Sequence, residues 1–271
     1  NIIVLTNLEP DHLDYYGSYK KLQDAFRTFV SLLPPTGHLV FNQDDLGACS
    51  IAESFKNLQN KKGFSLSQKE ASMLRGSLQV PGEHNVANAL AALMACKILK
   101  VPQKTAIKAL QEYKGSWRRF EVFLQSTISP SVLVSDYGHH PTEIKATMEA
   151  ARSRWPKQEI WLVFQPHQYQ RTYALFERFV EVLSSIPADN IIITDIFDVP
   201  GREGKGMKKK VSSKKLVKTI GKESIHHIPE LRDIAPFLKK QRSVNRIVII
   251  MGAGSIYQVI RQLTAQQPPS F

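Results

Sequence analysis

Short apolar runs bounded by polar turns recur along this chain, and most lead into stretches whose apolar residues return every three or four positions. The first pattern is that of strands covered on both faces, the second that of helices lying against a sheet. Ile2-Ile3-Val4-Leu5 reads as a buried strand and Thr6 to Asp14 as its polar exit. Leu22, Ala25, Phe26, Phe29, Val30 and Leu33 follow at helical spacing, and Pro34-Pro35 stops that helix. His38 to Phe41 is the next strand, Asn42 to Asp45 its exit, and Ser50 to Leu58 reads as a helix. Lys61 to Val80 fits neither period. Pro81-Gly82 makes a turn, Val86 to Leu99 is apolar almost all round and so reads as a buried helix, and another helix covers about Gln103 to Tyr113.

Beyond Gly115-Ser116-Trp117-Arg118-Arg119-Phe120-Glu121 the alternation becomes regular. Val132 to Val134, Ile160 to Phe164, Ile191 to Thr194 and Ile247 to Met251 are short, continuous apolar strands. Between them lie helical periods such as Ile144, Met148, Ala151 and Trp155, or Phe176, Phe179, Val180 and Leu183. This pattern predicts an α/β protein of two domains, residues 1–121 and 122–271, the second a Rossmann-like parallel sheet.

Composition narrows the class. With 42% hydrophobic and 22% charged residues, 271 residues suffice to bury a core in each of two domains. No run approaches the roughly 18 apolar residues of a membrane span, and nothing points to export, so a cytoplasmic protein without a membrane partner is expected. Cys49 and Cys96 have no CxxC or zinc spacing and read as idle thiols in a reducing compartment. The formal charge of +12 favours anionic partners. Much of it sits on Lys205, Lys208, Lys209, Lys210, Lys214 and Lys215, which read as a solvated loop. Without interleaved aromatics this run does not argue for nucleic acid, a reading that rests on charge alone.

The chemistry concentrates in Val134-Ser135-Asp136-Tyr137-Gly138-His139-His140-Pro141-Thr142-Glu143-Ile144. A strand ends there in a polar turn, and Pro141 sits where a first helical turn accepts it. An acid, a phenol and two imidazoles are thereby delivered to the carboxyl end of a strand, where open α/β sheets bind ligands. Asp11, His12 and Asp14 offer hard ligands at another strand end, a set suited to Mg²⁺ or Mn²⁺. Gly201-Arg202-Glu203-Gly204-Lys205-Gly206 imitates a phosphate loop, but the spacing is short and no Ser or Thr follows the lysine. Gly252-Ala253-Gly254 lacks the third glycine of a dinucleotide turn; both read as ordinary turns.

Asp136-Tyr137-Gly138-His139-His140-Pro141-Thr142-Glu143-Ile144 resembles the signature of the Mur ligases, of the MurC type that adds the first amino acid to UDP-N-acetylmuramate. Similar matches run in the family's order from end to end: Thr6 to Asp14, Pro81 to Leu90, Arg118 to Glu121, Phe164-Gln165-Pro166-His167 with Arg171-Thr172, and Met251 to Gly254. The resemblance implies ATP-dependent amide formation through an acyl phosphate, with ATP and Mg²⁺, joining L-alanine to UDP-N-acetylmuramate. It implies that His12 helps hold the metal, that Asn85 and Asn88 hold adenine, and that Arg119, Asp136 and Tyr137 contact the nucleotide. His139 is then expected to orient the amino acid and Arg171 to grip its carboxylate. The family offers a second arginine where this chain has Gln168, and commonly an aspartate at Ser255. The chain resembles the remainder of the central ATPase domain plus the C-terminal domain, the phosphate loop and UDP-binding domain being expected before Asn1. A non-catalytic nucleotide-binding or regulatory remnant is the alternative.

Overall fold

Two separate sheets organise the protein, in a computed structural model that describes residues 1–123, 127–128, 131–204, 206–241 and 245–264. The chain divides into two units, Asn1–Lys114 and Gly115–Phe271. Residues 115–121, placed with the first domain by sequence pattern, thus belong with the second unit, because Phe120 is buried in its core and Glu121 pairs with Ser135.

In the first unit, β1 (Ile2–Leu5), β2 (His38–Asn42) and β3 (Lys61–Phe64) run parallel in that order. The helices are α1 (Leu13–Tyr16), α2 (Tyr19–Ser31), α3 (Leu46–Ser54), α4 (Lys69–Arg75), α5 (Glu83–Ile98) and α6 (Gln103–Glu112). Successive residues Leu39 and Val40 of β2 are both fully buried, one in a core with α2 and α3, the other in a core with α4 and α5. The helix read from Ser50 to Leu58 starts four residues earlier, at Leu46, and stops at Ser54. The start is fixed by Asp45, whose carboxylate accepts from Ala48 N at 2.7 Å and from Leu8 N at 3.0 Å.

The second unit carries β4 (Glu121–Phe123), β5 (Val132–Asp136), β6 (Glu159–Phe164), β7 (Asn190–Ile193), β8 (Ile225–His227) and β9 (Arg246–Met251). They lie in the order β4-β5-β9-β6-β7-β8, parallel except for the antiparallel pair β4 and β5. Its helices are α7 (Pro141–Arg154), α8 (Tyr169–Ala174), α9 (Phe176–Ser185), α10 (Met207–Lys210), α11 (Ser213–Ile220), α12 (Leu231–Lys240) and α13 (Tyr257–Leu263). Ile144, Phe179 and Leu216 bring α7, α9 and α11 onto one face; Ile234, Leu238 and Ile260 bring α12 and α13 onto the other. Because β9 lies between β5 and β6 while its helix takes the opposite face from α7 and α9, the chain leaves these three strands toward opposite faces of the sheet, the kind of switch point at which open α/β sheets bind ligands.

Gly252, just after β9, sits at that switch point. Its φ is +149°, and a Cβ there would lie 2.8 Å from Gln165 O. Gly252→Ala is therefore expected to destabilise the second unit by on the order of 2 kcal/mol. All three tryptophans, Trp117, Trp155 and Trp161, lie in this unit, so denaturant titration followed by their fluorescence reads the change.

The lysine-rich segment read as a loop contains the single turn α10 and the start of α11, whose N-cap Ser212 accepts from Lys215 N at 3.1 Å. Lys205 lies outside the described residues. The aromatic neighbours missing from the local sequence come from α8 and α9: Lys208 lies over Tyr169, Lys210 over Tyr173 and Lys215 over Phe176. Among the described residues no helix is long and apolar enough to cross a membrane.

Candidate active site

Asp136 is the last residue of β5 and is 5% exposed. Its carboxylate accepts from Phe120 N at 2.9 Å and Gly138 N at 2.7 Å, tying the entrance of the unit to the turn after β5. Burial pushes its pKa up to about 6, against the opposing pull of those two N–H groups and of Arg119. The Arg118 guanidinium is buried as well; it donates to Gly252 O and lies over the rings of Trp117, Tyr137 and Tyr257. Burial lowers its pKa, against the opposing pull of Tyr137, Tyr257 and Asp136.

From Arg119 a line of polar groups crosses the carboxyl ends of the strands. Arg119 lies over the Tyr137 ring, 5.3 Å from its centroid, and its Nη1 is 3.4 Å from Glu143 Oε1. Glu143 Oε2 accepts from the backbone N–H groups of His139 (2.8 Å) and His140 (3.1 Å), while His140 Nδ1 accepts from Thr142 N, so a capping box opens α7. Burial raises the Glu143 pKa, but the His139 charge, the two N–H groups and Arg119 outweigh it and hold the carboxyl below its usual value. His139 Nδ1 lies 3.2 Å from Tyr137 O and 3.6 Å from Glu143 Oε2. The His139 and His167 rings are 5.7 Å apart, and His167 stacks on Phe197 at 5.3 Å. Arg171 Nη1, 3.2 Å from both His167 Nδ1 and His167 O, continues the line.

The structure therefore places Arg119, Asp136, Tyr137, His139 and Arg171 at one end of one sheet. Gln168 N-caps α8 with φ +70° and is 1% exposed; its backbone N–H donates to Phe197 O at 2.9 Å, and neither amide side-chain atom has a hydrogen-bond partner. His12, Asn85 and Asn88 lie in the first unit. His12 precedes α1 in the left-handed region, with Nε2 3.5 Å from Asp11 Oδ2. Among the described residues no three His, Cys, Asp or Glu side chains gather as a metal-binding group. His12 and Asp11 thus fit only a partial set, the kind a magnesium ion completes with water and substrate phosphate. Asn85 Nδ2 donates to Pro81 O at 2.7 Å, closing the turn that starts α5, and Asn88 is exposed three residues on. Glu143, His167 and Arg118 were missing from the candidate residues drawn from the sequence. Glu143 was legible as the third helical residue of a capping box, and His167 as part of Phe164-Gln165-Pro166-His167.

Arginines, imidazoles and carboxylates thus gather at the carboxyl ends of the strands, where open α/β sheets bind ligands. Residues 1–96 match the Mur ligase middle domain, and residues 118–254 match the Mur ligase, glutamate ligase domain. The chain belongs to the Mur ligase family. It is 34% identical over 278 residues to the UDP-N-acetylmuramate–L-alanine ligase of Clostridium acetobutylicum, covering 94% of this chain and 59% of that protein. Its fold is similar to that of the UDP-N-acetylmuramate-alanine ligase MurC from Thermotoga maritima, with a TM-score of 0.68, 22% identity and coverage of 97% of this chain and 58% of that one. The MurF ligase from Thermotoga maritima, solved in complex with ADP, aligns with a TM-score of 0.67 at 15% identity, over 96% of this chain and 60% of that one. The chain thus spans about three fifths of the relatives it matches.

Proposed function

We propose that this chain is part of a ligase that uses ATP to join L-alanine to the carboxylate of UDP-N-acetylmuramate, a step of peptidoglycan precursor synthesis. The line from Arg119 through Glu143, His139 and His167 to Arg171 is the observation that supports it. In this reading the muramyl carboxylate attacks the γ-phosphorus of ATP, giving an acyl phosphate and ADP. The amine then attacks the acyl carbon, loses a proton, and the tetrahedral intermediate collapses to amide and inorganic phosphate. Arg119 stabilises negative charge on the transferring phosphoryl group, and Glu143 fixes its fork. Asp136 and Tyr137 contact the nucleotide; Asn85 and Asn88 read the adenine edge through neutral amides. His139 orients the amine, and Arg171, with Gln168 beside it, holds the carboxylate of the amino acid. His12 supplies one ligand to Mg²⁺, whose role is to neutralise phosphate charge.

In the full-length ligase, steady-state ADP release is expected to require UDP-N-acetylmuramate and L-alanine together, with one phosphate released per amide. If mass spectrometry finds no amide product with any amino acid while ATP is still hydrolysed, the ligase reading fails. The 271 residues alone are expected to show no turnover, because their sequence holds no Gly-Lys-Ser or Gly-Lys-Thr loop to fix the γ-phosphate. Sustained amide formation by that chain alone would overturn this expectation.

A further inference from the structure

Helix α8 carries Arg171 but begins without a cap of its own: Gln168 occupies the N-cap position, has φ +70°, and makes no capping side-chain bond. Its first amides are satisfied from far along the chain. Glu203 Oε1 accepts from Tyr169 N at 2.9 Å across 34 residues, and Glu203 Oε2 accepts from Gln170 N at 3.1 Å. We propose that Glu203 is a positioning residue, a capping carboxylate supplied by a distant segment of the same chain that sets the start of α8 and with it the direction of the Arg171 guanidinium. The inference rests on the ligase reading for what Arg171 holds, but not for the strap itself.

Three features make the strap a device rather than a surface contact. A carboxylate divided over two successive N–H groups at a helix start is a charge-assisted pair, favoured also by the partial positive charge there. The segment leading to Glu203 is locked to the same loop: Phe197 N donates to Pro166 O at 2.8 Å, Phe197 O accepts from Gln168 N at 2.9 Å, and the Phe197 ring stacks on His167. On the far side, Lys208 pairs with Asp198 and lies over Tyr169, so the segment is fastened on both flanks of Glu203. Arg171 follows Gln170 directly, and its guanidinium is held by His167 from the stretch before the helix. A shift of the first turn therefore separates Arg171 from the His167 clamp. The helix has only 6 residues, so its first turn has few bonds of its own to hold it.

The test uses Glu203→Ala and Glu203→Gln in the full-length ligase, the second keeping one acceptor oxygen and the shape. Hydrogen exchange of the Tyr169 and Gln170 amides is expected to quicken about tenfold in Glu203→Ala and less in Glu203→Gln. The Michaelis constant for the amino acid is expected to rise about tenfold in Glu203→Ala and about threefold in Glu203→Gln, with that for ATP unchanged. Unchanged exchange at these two amides overturns the strap. Quickened exchange with both Michaelis constants unchanged, or with both raised equally, overturns the positioning role. Should the unsubstituted ligase form no amide, the ligase reading fails, while the exchange measurement still decides whether Glu203 holds the helix.

Discussion

Replacing Arg171 by alanine in the full-length ligase is expected to raise the Michaelis constant for the amino acid about 100-fold and to leave that for ATP nearly unchanged. Arg171 is 7% exposed, and its Nη1 lies against two groups of His167. A guanidinium shielded in this way meets a carboxylate with little competition from water, where a charge-assisted bond contributes up to about 3 kcal/mol. Deleting it also removes one contact of the His167 ring, which stacks on Phe197. Arg171→Lys is expected to recover only part of the loss, since an ammonium has no planar fork for a carboxylate. Steady-state kinetics with amino acid and ATP varied separately checks both variants. Equal rises in the two constants, or none in either, would place the carboxylate site elsewhere.

Strands with continuous apolar runs were legible, because burial on both faces leaves an uninterrupted signal: Ile160 to Phe164 and Ile247 to Met251 are strands in the structure. Three others, β3, β4 and β8, were not legible: in β3, Lys61–Phe64, only Phe64 is buried. β8 is three residues, Ile225–His227, with only Ile225 buried, and β4 is a short antiparallel edge whose Val122 and Phe123 are half-buried. Neither carries a period long enough to read. The helix at Leu46 was misplaced because its cap, Asp45, had been assigned to the exit of the preceding strand.

The candidate site divides in the same way. Residues clustered in one stretch, Asp136 to Glu143, announce themselves through local capping spacing. Contacts made across the chain do not. Glu203 stands beside Gly204 in what reads as a failed phosphate loop, and nothing local says that its partners are the amides of Tyr169 and Gln170. Arg118 looks like one half of a surface pair, yet the fold sends it inward onto Gly252 and three aromatic rings, while Arg119 stays half exposed beside Glu143. The two arginines lie in a turn with Arg118 at φ +54°, a backbone bend that local sequence does not announce and that decides which of them is covered.

Asp136 is expected to make the stability of the second unit fall as pH rises from about 4 to about 6. Burial raises its folded-state pKa from 3.8 to about 6, so over that window the folded state binds more proton than the unfolded chain. Its contribution is therefore fully present below the unfolded value and lost as pH passes through the folded one, an effect of about 3 kcal/mol across the window. Glu143 acts in the opposite sense: its carboxyl is held below the usual value, so its contribution is present above the unfolded pKa and lost as acid protonates the folded state. Asp136→Asn separates the two, because the amide cannot titrate but keeps an oxygen for one of the N–H groups of Phe120 and Gly138. Denaturant titrations followed by tryptophan fluorescence at pH 4 and pH 7 are expected to show the unsubstituted protein losing about 3 kcal/mol more than the variant over this interval. Identical pH dependence in the two proteins would mean that the carboxyl of Asp136 is solvated well enough to titrate as in the unfolded chain, and the closed turn between Phe120 and Gly138 would then not hold in solution.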